Sequence, residues 1–223
     1  MLTCTVEDGV AILAIDDGKA NAIGEILIDA LNDGLDLAEH DAKAVLLVGR
    51  PNLFCAGFDL KILAVKGPRR ESLVDAGARL LLRLFTHPQP IVAACTGHAV
   101  AGGALMLLAS DFRLGTAGDY RIGLNETAID VRLDTFAVEL VRSRVPPDLH
   151  FSVVLEAQTF RPDDAVRAGF LDRLVEADEL LAQSMADAQR LAILPQRAFS
   201  FNKLALRRMQ IRRIEQSLTN PIR

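Results

Sequence analysis

Short apolar runs alternate along the first half of the chain with longer stretches in which apolar residues recur every three or four positions. The short runs predict buried strands at Val10–Ile15, Ala44–Val48 and Ile91–Cys95. The longer stretches predict helices from Ile23 to about Gly34, from Leu73 to Phe85 and from Gly103 to Ala109, with a loop from Gly49 to Asp59. Strands that alternate with helices indicate an α/β fold with mainly parallel pairing.

The second half of the chain reads as two short strands followed by helices. The strands are predicted at Phe112–Gly115 and Tyr120–Leu124, and a later helix begins near Arg161 and stops at Gly169. No segment rich in Gly, Pro or Ser divides the chain. We therefore expect one core domain over residues 1–190 and a helical segment over residues 191–223.

One uncharged stretch, from His87 to Ser110, is long enough to cross a bilayer. Prolines near its start and glycines at Gly97, Gly102 and Gly103 divide it into a strand, a turn and a short helix. We expect a buried βα unit here and no membrane span.

Composition narrows the functional classes. The 223 residues carry 25 Lys and Arg against 29 Asp and Glu, a net charge of -4, with no Trp and one Tyr. A negative chain without stacking platforms is not expected to bind nucleic acid. Glu7 and Asp8 stand where a signal peptide would be basic, and the three cysteines and four histidines lack metal-ligand spacing. We expect a cytoplasmic protein with reduced thiols and no metal.

Charge is distributed unevenly between the two ends of the chain. The first forty residues hold nine acids and one base, Lys19, whereas residues 188–214 hold seven bases and no acid. The basic segment is either a solvated helix face or a local anion site.

Two glycine-containing loops follow predicted strands, FCAGFDL at residues 54–60 and HAVAGGA at residues 98–104. Bare backbone amides suit an oxyanion, and Gly102 and Gly103 also begin a helix whose dipole favours negative charge. Neither loop is specific alone, because AG and GG steps are more often tight turns.

The order of these motifs resembles the enoyl-CoA hydratase/isomerase (crotonase) superfamily. The resemblance covers residues 8 to about 175 and includes GKANAI, FCAGFDL, PIVAACTGHAVAGG, IGLNE and TFRPDDAVRAGFLDRLV. Within the family, AGGALMLLASDFR and YRIGLNETAID look most like the Δ3,Δ2-enoyl-CoA isomerases. The resemblance implies a spiral of ββα units with a short helical C-terminal region, an acyl-CoA thioester ligand of fatty-acid β-oxidation, no other cofactor, and a homotrimer or hexamer.

The resemblance also implies an oxyanion hole made by the amides of Phe58 and Gly102. Hydratases of the family use two glutamates, and this chain matches only the second, Glu126, because Leu105 occupies the first position. Moving a double bond from C3 to C2 needs one base, whereas adding water needs more groups. Isomerisation by Glu126 is the first hypothesis. Hydration or another crotonase reaction is the second, and acyl-CoA binding without turnover is the third.

Other polar residues near the motifs have open roles. Asp130 and Asp134 could share a helical face with Glu126 and replace the missing glutamate, although acids near a helix start are more often caps. Cys55 is expected to fill space rather than act as a nucleophile, and His98 to be a hydrogen-bonded turn residue.

By the same resemblance, CoA is held by backbone of the early loop and the AG loop together with basic side chains. The expected contacts are Lys19, Ala20, Ala22, Ala56, Lys61 and Lys203.

Overall fold

The strands of the chain form two β-sheets. The structure is a computed structural model that describes residues 1–219. Its strands are β1 Leu2–Glu7, β2 Val10–Ile15, β3 Ala44–Val48, β4 Asn52–Cys55, β5 Ile91–Cys95, β6 Gly97–Val100, β7 Phe112–Thr116, β8 Ile122–Gly123, β9 Thr159–Phe160 and β10 Arg173–Val175. Its helices are α1 Glu25–Asp41, α2 Leu60–Leu63, α3 Pro68–Thr86, α4 Gly102–Ala109, α5 Thr135–Arg144, α6 Pro162–Arg167, α7 Leu180–Ala192 and α8 Gln196–Thr219.

The larger sheet has the order β1-β2-β3-β5-β7-β10 and is parallel except for the β1/β2 hairpin. All residues of β3 and β5 are buried. Val45 and Leu47 belong to the main core, whereas Leu46 and Val48 belong to a second cluster covered by α7. Burial on both faces explains why these strands read as unbroken apolar runs.

The smaller sheet has the order β4-β6-β8-β9. β4, β6 and β8 are mutually parallel, with Asn52 beside Gly97 and Ala99 beside Ile122. The carboxyl ends of these three strands therefore lie at one edge of the sheet, and the loops that follow them meet there.

The C-terminal helix α8 is attached to the core by a buried charge cluster. Asp111 accepts hydrogen bonds from Lys203 Nζ at 2.6 Å, from Arg207 Nη2 at 2.8 Å and from the Ile91 amide at 2.8 Å. Arg207 also donates to the Phe85 carbonyl, and its guanidinium lies over the Phe85 ring. Two of the seven bases noted in residues 188–214 are thus structural and neither a solvated face nor an anion site.

The predicted α/β class is confirmed, and the three predicted main strands have the bounds expected. The prediction that the first helix ends near Gly34 was wrong, because α1 continues to Asp41. Gly34 serves packing instead: a Cβ there would lie 2.6 Å from Leu13 Cδ2. The predicted loop over residues 49–59 contains β4, and the strands β1 and β6 were not predicted.

The remaining expectations concern a membrane span, a metal site and the division of the chain into two segments. Among residues 1–219 no helix is long and apolar enough to cross a membrane, and no cluster of three potential metal ligands occurs in that range. The division at residue 190 stays a prediction; it falls within α7, and residues 220–223 lie outside the described part of the chain.

Substituting Asp111 with Ala should destabilise the fold by about 3–5 kcal/mol, because Lys203 and Arg207 would remain buried without a counter-charge. Their side chains are 4% and 5% exposed. Urea denaturation measures the free energy of unfolding. The control is Asp75→Ala, which removes an exposed pair with Arg79 and should cost less than about 1 kcal/mol. Equal losses in the two variants would contradict a structural role for the buried cluster.

Candidate active site

Three segments follow the three parallel strands of the smaller sheet and converge at its edge. Phe58 lies three residues after β4, Gly102 two residues after β6, and Glu126 three residues after β8. Because β6 lies between β4 and β8, all three sequence-predicted catalytic positions come to one place. The sheet register, rather than proximity in sequence, brings them together.

The Phe58 amide is oriented by the early loop. Ile23 N donates to Gly57 O at 2.8 Å, and Asp59 N donates to Ile23 O at 3.0 Å. In such a parallel bridge the intervening amide, that of Phe58, faces the opposite way. Within residues 1–219 it has no backbone acceptor, and it is free to donate to a ligand.

The Gly102 amide lies close to Gly57, the residue that precedes Phe58. Gly57 has φ +93°, and a Cβ on it would lie 2.8 Å from Ala101 Cβ and 3.1 Å from Gly102 N. Only glycine permits this approach of the two loops. Gly102 is the first residue of α4, and its amide finds no backbone acceptor in the described chain, so it stands at the positive end of the helix dipole.

Ala101, which precedes Gly102, has a backbone conformation that L residues rarely adopt, with φ +52° and ψ −126°. Its amide donates to Gly123 O at 3.0 Å, and its carbonyl accepts from Leu105 N at 3.0 Å. These two bonds, one to β8 and one to α4, hold the strained residue. This conformation of Ala101 turns the chain sharply between β6 and α4, so that the first amides of α4 lie at the edge of the smaller sheet.

Glu126 is a buried carboxyl group with an incomplete set of partners. The residue is 7% exposed, and its Oε2 has no hydrogen-bond partner within residues 1–219. Burial raises the pKa of Glu126 to about 7, although the amides of Glu126 and Asn125 oppose the shift. A carboxyl group with this pKa accepts and returns a proton near neutral pH.

Neither of the two acids that follow Glu126 in sequence shares a regular helix with it. Leu105 is buried in α4. The segment after Glu126 is a single 3-10 turn that ends at Asp130 in a left-handed conformation, φ +58°. Asp130 is exposed, and Asp134 pairs with Arg132 at the start of α5. The idea that either acid shares a helical face with Glu126 gains no support, because the helix it needs does not form.

The expected CoA-contacting residues separate into three groups. Ala20 O accepts from Ala56 N at 3.0 Å, which joins the early loop to the AG loop; Ala22 lies in the same loop. Lys19 and Lys61 are exposed, and Lys61 lines a surface cavity of about 470 Å³ between α2 and the start of α3. Lys203 is instead buried against Asp111, so its ammonium is already engaged.

Asn21 is a positioning residue that sequence reasoning left unassigned. It is fully buried with φ +47°. Its Nδ2 donates to Ile15 O at 2.9 Å and Phe54 O at 3.1 Å, and its Oδ1 accepts from Asp17 N at 3.0 Å. These bonds attach the early loop to β2 and β4. The available signal was a polar residue of αL preference between two alanines after a buried strand.

Two other residues occupy the roles expected of them. Burial raises the pKa of Cys55 to about 12, so its thiol stays protonated and fills space. His98 accepts from the Arg121 amide at 3.0 Å and contacts the Tyr120 ring edge-on, as a turn histidine would.

Comparison with known proteins shows which family and fold the chain is similar to. The family model described as enoyl-CoA hydratase/isomerase matches residues 5–220. A probable enoyl-CoA hydratase of Bacillus subtilis (strain 168) is 32% identical over 134 residues, which are 58% of this chain. The matched part is 52% of that relative, so the chain spans about half its length.

Solved structures match over nearly the whole chain. An enoyl-CoA hydratase/isomerase family protein from Pseudomonas syringae is 37% identical with a TM-score of 0.94, covering 99% of this chain and 98% of that one. A Mycobacterium tuberculosis protein, described in one structure as an enoyl-CoA isomerase and in another as a probable enoyl-CoA hydratase, is 32% identical with a TM-score of 0.93. In the first of these structures the match covers 99% of this chain and 98% of that one.

Replacing Glu126 with Gln should remove a pH-dependent loss of stability. Between pH 4.5, the ordinary pKa, and about pH 7, the folded chain keeps a proton that the unfolded chain has released. The free energy of unfolding therefore falls as pH rises through this window. Gln stays neutral, so the stability difference between variant and wild type should grow by about 3 kcal/mol across it.

Urea denaturation of both proteins at about pH 4 and about pH 8 measures this change, and groups other than Glu126 cancel in the difference. A difference that is the same at both pH values would show that Glu126 is not buried as a proton-holding group.

Proposed function

The chain belongs to the enoyl-CoA hydratase/isomerase family, and from that premise we propose that it shifts the double bond of a 3-enoyl-CoA to the 2 position. The carrying observation is the buried carboxyl group of Glu126, which lies at the same sheet edge as the Phe58 and Gly102 amides. Relatives named for isomerases and for hydratases both occur, so the choice between the reactions rests on the site.

The reaction begins with polarisation of the thioester carbonyl. Phe58 N–H and Gly102 N–H donate to its oxygen, which makes the C2–H bond acidic. Glu126 takes the C2 proton, and the electrons of that bond enter a dienolate whose negative oxygen rests against the two amides. Removing one such donor commonly costs about 10²–10³ in rate.

The second half-reaction returns the same proton. Glu126 in its acid form protonates C4, the remaining electrons form the C2=C3 bond, and the carboxylate is regenerated. Substrate and product are isomers, so the proposed reaction uses no cofactor apart from the CoA carried by the substrate. A pKa near 7 suits one group that acts first as base and then as acid.

Hydration is disfavoured by Leu105, the residue at the position of the missing glutamate. Water addition needs groups that position and deprotonate water as well as a proton donor for C2. Leu105 supplies an apolar side chain at that position. Asp130 ends the 3-10 turn after Glu126, and Asp134 precedes α5, so neither acid shares a helix with Glu126.

The wider setting is part of the proposal. We place the reaction in fatty-acid β-oxidation in the cytoplasm, which agrees with three free cysteines, Cys4, Cys55 and Cys95. A homotrimer or hexamer is supported by apolar side chains on α8 that are exposed in the single chain, among them Phe201 at 72% and Leu206 at 83%.

Glu126→Gln should lower kcat for trans-3-hexenoyl-CoA by at least about 10²-fold, because the proposed base is lost. Proton NMR follows the formation of 2-hexenoyl-CoA. The control, Glu176→Gln, changes an exposed glutamate between β10 and α7 and should keep full activity.

Crotonyl-CoA separates the alternatives. Rapid formation of 3-hydroxybutyryl-CoA by the wild type would contradict the isomerase and support a hydratase. Binding of both thioesters without turnover, unchanged in Glu126→Gln, would support a non-catalytic acyl-CoA binding protein.

A further inference from the structure

Gly77 occupies an unexpected position for glycine. It lies in the middle of α3, where glycine is among the least favourable residues, and it is buried. Its φ is not in the left-handed region, so backbone geometry does not require glycine here. A packing constraint must explain it.

The constraint is the ring of Phe58. A Cβ on Gly77 would lie 2.2 Å from Phe58 Cε1 and 2.5 Å from Cζ, far inside van der Waals contact. On another side of the ring, a Cβ on Gly102 would lie 3.1 Å from Phe58 Cδ2. The ring therefore lies between α3 and the first turn of α4, in a space that exists because both positions are glycine.

The same ring is attached to the peptide that carries the proposed oxyanion donor. Hydrogen bonds to Ile23 hold Gly57 and Asp59 on either side of it. Gly57, at φ +93°, has little steric preference of its own to orient the Gly57–Phe58 peptide. The Ile23 N–H bond to the Gly57 carbonyl restrains this planar peptide from one side. The side chain of Phe58 is a second restraint on the direction of its amide.

We infer that Gly77 is a positioning residue, a notch in α3 that seats the Phe58 ring and thereby aligns the Phe58 N–H with that of Gly102. The inference deepens the proposed function and rests on its oxyanion hole. A methyl group at residue 77 must move the ring. Gly102 and Ile23 limit movement toward α4: Ile23 Cδ1 would lie 2.9 Å from a Cβ on Gly102. The half-buried ring is then displaced outward, and its peptide turns with it.

Gly77→Ala should lower kcat for trans-3-hexenoyl-CoA by about ten- to a hundredfold, because misplacement by about 1 Å can cost 10²-fold. KM should change by less than about threefold, since most contacts with the ligand are kept. Phe58→Ala keeps Gly77 and the amide but removes the ring, and should lower kcat in the same direction without any clash.

A spectroscopic readout reports the oxyanion hole without turnover. The carbonyl stretch of bound 2-hexenoyl-CoA, labelled with ¹³C at C1, is measured by isotope-edited infrared spectroscopy. Two aligned amides should lower this frequency in the wild type relative to water. In Gly77→Ala and in Phe58→Ala the carbonyl frequency should lie between the wild-type value and the value in water.

Rescue and a matched control separate positioning from stability. In Gly77→Ala/Phe58→Leu the smaller side chain makes room for the added methyl group, so kcat and the carbonyl shift should exceed those of Gly77→Ala. The control Gly34→Ala adds the same methyl group to a helix glycine that contacts Leu13 in the core. It should lower Tm without changing the carbonyl frequency.

Each result has a defined meaning. Unchanged kcat and carbonyl shift in Gly77→Ala or in Phe58→Ala would overturn the inference, as would a double variant no better than Gly77→Ala. A wild type that binds the thioester with no lowering of its carbonyl frequency would instead overturn the proposed oxyanion hole, and this inference with it.

Discussion

Parallel hydrogen bonding among β4, β6 and β8 is the constraint on which the candidate site depends. Parallel strands present their carboxyl ends at one edge, so the three loops that follow must meet there. Between β4 and β6 the chain passes through β5 of the larger sheet, and between β6 and β8 it passes through β7. The larger sheet therefore sets the spacing of the site even though it contributes no candidate catalytic residue.

The site concentrates features that are unfavourable for stability. Glu126 is buried with one oxygen unpartnered, Ala101 is strained, and Gly77 and Gly102 carry no side chain in buried helix positions. Such features persist when the surroundings hold them in place. Here the surroundings are strands buried on both faces and the cluster in which Asp111 joins α8 to β5. The same burial that makes Glu126 costly raises its pKa into the range of a proton shuttle.

Much of the fold could be predicted because β3 and β5 are apolar on both faces, which is a local property of the sequence. β6 was missed because its four residues carry no strand pattern and are extended by their neighbours β4 and β8. Gly34 was misread as a helix stop because a glycine that serves packing looks the same in sequence as one that ends a helix.

The sequence by itself determined the α/β class and that residue 105 is Leu. Phe58, Gly102 and Glu126 became catalytic candidates through motifs that resemble those of the family. These depend on residue type and order, which are written in the chain. Only the tertiary structure decided that Glu126 is buried, that Lys203 is engaged by Asp111, and that Gly77 holds the Phe58 ring. Burial, ion pairing and close packing join residues that are distant in sequence, and their energies depend on distances that no local pattern encodes.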